Sequence, residues 1–176
     1  MFNGHVSIIG RDFTYNPVIY LNLTGIDGSN ANAYANMLSK VLAVARTYMC
    51  VPTKIETMWV ILDTNYSAAI IKSLSAIHVA LKPLEYLQSI ISKVAWARPP
   101  KNFALLYTLA TQLGYLGEEA SHNFSILQNP TKLKNWLSAR IDLNYVPSWL
   151  GGCRKDISLT WPPNFTSLEN YGEILT

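Results

Sequence analysis

The segment Thr57-Met-Trp-Val-Ile-Leu-Asp63 leaves this chain little freedom in how it can fold. An uninterrupted apolar run of that length reads as a strand covered on both faces, which is the pattern of a parallel sheet rather than of an exposed antiparallel one. Covering both faces requires helices, and the flanking sequence supplies them. From about Ala31 to Met49, the residues Tyr34, Leu38, Val41, Ala45 and Tyr48 recur at three- and four-residue intervals and predict one amphipathic helix. Ala68 to Leu81 repeats the pattern with Ile70, Leu74, Ile77 and Leu81 on one stripe.

The rest of the chain continues this alternation. Val18 to Leu23 is β-branched and apolar, and follows Pro17, which suits the first position of a strand because it cannot donate to a ladder. Pro83 is expected to break or bend the second helix, because proline disfavours helix in the residue before it. A further helical stretch from Leu84 to Ser92 then leads into a strand from Val94 to Arg98, ended by Pro99-Pro100. Asn102 to Leu116 predicts a helix that is apolar nearly all round. Phe124 to Leu127 reads as a last strand. Asn129 and Pro130 have the residue types of a helix cap and a first helical position. Ile141 to Gly152 reads as a helix end closed by Pro147 and Gly151-Gly152. The predicted class is α/β, a mostly parallel sheet flanked by helices.

Composition narrows the possible partners. At 176 residues, one domain is the natural expectation, read as residues 1–152 with residues 153–176 as a tail laid over it. Charged residues are 14% of the chain against an ordinary share of about a quarter. So few charges cannot cover a large surface, and apolar surface is left for a ligand or a membrane. The net charge of +3 comes without any cluster of lysine and arginine, so no nucleic-acid partner is expected. Cys50 and Cys153 make no metal spacing and read as free thiols. The first residues lack a basic stretch followed by an apolar run, so no secretory signal is expected and the four Asn-x-Ser/Thr sequons read as chance matches.

The residues assemble no reaction centre. There is no glycine-rich phosphate loop with a following lysine, no Gly-x-Ser-x-Gly elbow, and no histidine beside either cysteine. No two histidines or carboxylates sit at metal-ligand spacing on one element. Neither an enzyme nor a cofactor is therefore expected. Asp63 ends a buried strand, a favoured place for function in α/β sheets, and equally a place to cap the next turn. The remaining signal is the helix from Asn102 to Leu116. Phe103, Leu106, Tyr107, Ala110 and Leu113 form one stripe, with Leu105, Leu109 and Leu116 on other sides. Such a helix must be covered on several sides, either as a central core helix or as a lid between protein and ligand.

Two end segments carry a resemblance. Gly10, Asp12, Pro17 and Val18 stand at the spacing Gly-x-Asp-(x)4-Pro-Val, and Val146-Pro147 with Gly151-Gly152 matches Leu-Pro-x-x-x-Gly-Gly. Between them, Pro100 and Phe103 fit the pattern Asn-x-Pro-x-x-Phe, with Arg98 in place of the asparagine. Together these segments resemble the CRAL-TRIO family of lipid-binding domains. The resemblance implies an apolar cup whose floor is the sheet and whose wall is a mobile gate helix, by position Asn102 to Leu116. The gate would present Phe103, Leu106, Tyr107, Ala110 and Leu113. Tyr20, Leu62 and Trp96 would line the pocket if they face it, and Arg98 would meet a polar headgroup or else form a surface ion pair.

The implied activity is binding, and transfer between membranes, of a phospholipid or other lipid. The implied setting is cytoplasmic and peripheral to a membrane, with transient membrane contact and room for a protein partner in signalling. The sequence also departs from the pattern. Leu87-Gln88-Ser89-Ile90 stands where Tyr-Pro-Glu-Arg is usual, and Ser89 and Asn123 fall where headgroup-binding Glu and Lys are found, so phosphatidylinositol is not the expected ligand. No N-terminal helical extension is expected before the first strand, as in divergent members. The alternative is an interaction scaffold of the related BCH type, with its pocket empty or collapsed.

Overall fold

The computed structural model describes residues 5–49, 55–101 and 124–155. In them five strands form one sheet in chain order, β1 (Val6–Arg11), β2 (Pro17–Asn22), β3 (Met58–Asp63), β4 (Ile91–Ala97) and β5 (Phe124–Leu127). β1 and β2 are antiparallel, and the other neighbours are parallel. The mostly parallel α/β architecture read from the sequence is thus the one observed.

β1 was not among the expected strands. Gly10 lies inside it and reads in isolation as a turn residue. It falls where the β1–β2 register shifts, between Ile8 and Gly10, and a Cβ there would stand 2.9 Å from Tyr145 Cβ. The hairpin that follows is built on Asp12. One of its carboxylate oxygens accepts hydrogen bonds from the Thr14 amide (2.9 Å), the Thr14 hydroxyl (2.8 Å) and the Asn16 amide (2.8 Å). The Asp12 and Asn16 of the opening motif therefore close a turn, and Pro17 enters the sheet as the first residue of β2.

The helices match the sequence unevenly. α1 (Ala31–Thr47) buries Tyr34, Leu38, Val41 and Ala45, the predicted stripe. The second helix differs. Residues Ala68–Ser73 are 3-10 helix, and α2 proper is Leu74–Glu85 with Pro83 inside it. Pro83 does not break the element because it lies in the last turn, where its missing N–H costs one hydrogen bond and no further turn has to follow, and Leu84 beyond it is fully buried. The stretch expected to be helical to Ser92 is instead the end of α2, a 3-10 turn at Gln88–Ile90, and the start of β4 at Ile91. α3 (Pro130–Ser138) starts as read, with the Asn129 side chain accepting from the Thr131 and Lys132 amides.

The closing segment is a correction as well. α3 ends at Ser138, Ile141 bridges to Asp12, and Ser148–Leu150 is a 3-10 turn rather than a helix end. Gly151 has φ of +91°, and a Cβ on Gly152 would stand 2.0 Å from the Val146 carbonyl oxygen, so no side chain fits there. From Cys153 the chain doubles back, its amide bonding the Leu143 carbonyl at 2.8 Å. The tail beyond residue 155 lies outside the described residues, as does the apolar helix predicted at Asn102 to Leu116.

The sheet divides the core in two. Under α1 and α2 lie Ile19, Leu21, Val60, Leu62, Val94 and Trp96. On the opposite face lie Val18, Tyr20, Trp59, Ile61 and Ala95, packed by Leu133 and Leu137 of α3 and by Ile141, Val146 and Leu150. Every residue of β3 is buried, which is why its sequence is apolar without alternation.

Candidate functional site

Strand periodicity sorts the expected pocket residues. Leu62 pairs in register with Trp96, so both point to the α1–α2 face. Tyr20 pairs with Ile61 and points the other way. The structure brings Leu62 and Trp96 together and separates Tyr20 from them. Phe103, Leu106, Tyr107, Ala110 and Leu113 lie outside the described residues. On the α1–α2 face the apolar surface runs on past Trp96 into β5, where Phe124 stacks edge-on against Trp96 (centroids 6.3 Å apart) and Ile126 remains 38% exposed. Phe124 and Ile126 were missed by sequence reasoning, which saw a strand there without knowing which strand it borders.

The opposite face carries the polar centre. Asp63, at the carboxyl end of β3, is fully buried. Its carboxylate accepts from the Tyr20 hydroxyl at 2.6 Å, from Arg98 Nε at 2.9 Å and Nη2 at 2.5 Å, and from the Asn65 amide at 3.0 Å. Asp63 therefore caps its turn, as one of its two sequence readings had it, and also holds a cation. The Trp149 indole in turn donates to the Tyr20 hydroxyl at 3.1 Å. Arg98 is thus no surface ion pair. Asp63 is cross-strand partner to Ala97, and Arg98, one residue further, folds back over it.

The backbone around this centre is arranged to allow that return. Among the described residues, four other than glycine have positive φ, and three of them are here, Asn65 (+46°), Tyr66 (+56°) and Arg98 (+51°). The Arg98 carbonyl accepts from the Tyr66 amide (2.6 Å) and the Thr64 hydroxyl (2.9 Å), and the Arg98 amide donates to Leu127 (3.2 Å). The turns after β3 and β4 and the end of β5 are therefore tied together through one residue. Left-handed conformations of this kind cost about 1–3 kcal/mol where the surroundings impose them.

Electrostatics fix the protonation of the cluster. Burial, then the charge and hydrogen bond of Asp63, push the Tyr20 phenol far above its ordinary value of 10.0, outweighing Trp149 and Arg98, so it stays neutral and donates. Burial works against the charge on Arg98, but the hydrogen bond and charge of Asp63 prevail and raise it. A carboxylate enclosed by a phenol, a guanidinium and an amide has no access to substrate and is structural. Among the described residues no group of three or more His, Cys, Asp or Glu could hold a metal ion.

The mostly parallel sheet and the helices beside it define an α/β domain, and comparison with a family model gives its class. The family model of the CRAL/TRIO domain matches residues 1–152, and the chain belongs to that family. No curated protein sequence matches it. Among solved structures, the one described as "Crystal structure of Sfh5" is similar, with a TM-score of 0.48 and 11% identity over 77% of this chain and 50% of that one. The chain spans about half the length of that structure.

Proposed function

We propose that this protein binds a lipid in an apolar pocket on the α1–α2 face of the sheet and carries it between membranes. The family match over residues 1–152 carries the reading. Its geometric support is the apolar strip on that face, which runs from buried Val94 and Trp96 to Phe124, only partly buried, and to Ile126, 38% exposed. β4 and β5 are parallel neighbours. Connections between parallel strands are right-handed in nearly all sheets, and α1 and α2, which make the two preceding connections, lie on this face. In this reading the run Asn102–Leu116 crosses there too and closes the pocket as a gate.

The energetics favour extraction into such a pocket. Each methylene taken from water gains about 0.8 kcal/mol, so a dry cavity that encloses acyl chains competes with a bilayer. The protein then meets membranes transiently, from the cytoplasmic side, and among the described residues no helix is long and apolar enough to cross one.

The test is mass spectrometry of organic extracts from protein repurified after incubation with mixed-lipid vesicles. A stoichiometric lipid is expected, and it should be lost in the Leu106→Trp/Leu113→Trp variant while far-UV circular dichroism is unchanged. A folded protein that emerges free of lipid overturns the proposal. One observation favours a scaffold instead, since Leu62 and Trp96 are only 1% and 2% exposed and fill their part of the core. Empty extracts together with a defined protein partner would establish that reading.

A further inference from the structure

On the face of the sheet opposite the proposed lipid pocket, a cavity of about 330 Å³ opens at the carboxyl ends of the parallel strands. Ligands of α/β sheets bind at such ends, between the turns that leave them. Tyr66 comes from the turn after β3, Arg98 from the turn after β4, and Thr131 and Lys134 from α3, which follows β5. Trp149 and Gly151 of the closing segment complete the wall.

The charge of this lining has one sign. Among the described residues, Arg98 and Lys134 are its charged residues, and no carboxylate lines it. Asp63 stands behind Arg98, buried and fully engaged. Arg98 gives Nε and Nη2 to Asp63, while its Nη1 makes no hydrogen bond among the described residues, and the side chain is 14% exposed. Lys134 makes no ion pair among them either. Its stem is held against Gly151, where a Cβ would stand 3.0 Å from Lys134 Cβ. The start of α3 adds a positive field without free donors, because Asn129 already takes the Thr131 and Lys132 amides.

The walls are set before any ligand arrives. The Tyr66 hydroxyl is tied to the Gln128 carbonyl at 3.2 Å, and the Trp149 indole to Tyr20. The volume is at the low end of the ~300–1,000 Å³ usual for ligand pockets. At roughly 30 Å³ per water-sized group it holds on the order of ten such groups. We propose that this cavity binds a phosphate monoester of a small alcohol, its oxygens meeting Arg98 Nη1, the Lys134 ammonium and the Thr131 hydroxyl, with Tyr66 and Trp149 against the organic part. A phosphate presents three acceptor oxygens to donors from three directions, which a carboxylate does not. The ester is either free in solution or the exposed headgroup of an anionic lipid. The site lies across the sheet from the lipid pocket and stands whether or not that pocket fills.

The test titrates the full chain with glycerol 3-phosphate, followed by amide and indole NMR shifts, and in parallel measures sedimentation with phosphatidylcholine vesicles with and without phosphatidate. Lys134→Glu is compared with Lys40→Glu, the same charge change on exposed α1. For a soluble ester, saturable shifts at Arg98, Thr131, Lys134 and the Trp149 indole are expected. Lys134→Glu should weaken them at least tenfold and Lys40→Glu should leave them unchanged. Phosphatidate-dependent sedimentation lost only in Lys134→Glu, with glycerol 3-phosphate silent, identifies the headgroup as the source. Equal responses of the two variants to both probes overturn the proposal. If Lys134→Glu does not fold, Lys134→Gln, which removes the charge without reversing it, carries the same comparison.

Discussion

The two faces of the sheet are held by different physics. Beneath α1 and α2 the packing is almost wholly apolar, and the stabilising quantity is area removed from water. Across the sheet, Tyr20, Asp63, Arg98 and Trp149 form a chain of hydrogen bonds around a buried carboxylate. An apolar face tolerates change by degrees, since each lost methylene costs a bounded amount. A buried charge is stable only with every partner present. The first face can therefore yield to a ligand, whereas the second fixes the geometry around it.

The sharpest way to break this contrast is Asp63→Ala. It strands the Arg98 cation and is expected to cost about 3–5 kcal/mol in urea denaturation. Removing both charges in Asp63→Leu/Arg98→Leu should recover much of that loss. Recovery of nothing would mean that the pair contributes by attraction rather than by mutual compensation. On the other face Leu38→Ala is expected to cost about 2–5 kcal/mol through the cavity it leaves, with no second-site polar change able to restore it. A smaller effect, about 1–3 kcal/mol, is expected for Tyr20→Phe, which takes the acceptor of Trp149 Nε1 and one of the two donors to Asp63 Oδ2, leaving that oxygen with Arg98 Nη2.

Tyr20→Phe also has a pH signature. The folded protein holds the phenol far above its ordinary 10.0, so above about pH 10 the unfolded chain binds fewer protons than the folded one. The stability tied to this group is fully present below pH 10 and is lost as pH rises beyond it. Wild-type stability should therefore fall more steeply there than that of Tyr20→Phe, by up to about 1.4 kcal/mol per pH unit. Parallel curves would show that the phenol ionises freely in the folded state. The mildest test is Asn129→Ala, which uncaps α3 beside the cavity and should cost about 1 kcal/mol in the same denaturation measurement.

What the sequence disclosed follows the same division. β3, β5, α1 and the Asn129 cap were legible because each is decided by neighbours within one element, by a run, a period or a residue preference. β1 was not, because Gly10 at an irregular register reads locally as a turn. The role of Arg98 was not, because a cation at a strand end looks solvated until the β3–β4 register places Ala97 beside Asp63. The closing motif was recognised as a motif, but its reason, the absence of space at Gly152, exists only once Val146 is folded against it. The separation of Tyr20 from Leu62 and Trp96 followed from strand parity, once the register was known.

The bond between Trp149 and Tyr20 joins residues 129 apart. On a ribosome adding about 5–20 residues per second, β2 is made on the order of ten seconds before its last polar partner emerges. Through that interval the phenol of Tyr20 can be shielded by no more than part of its final surroundings. Completion of the buried network is thus a timing event as well as a packing one, reached only when the closing turn has left the exit tunnel.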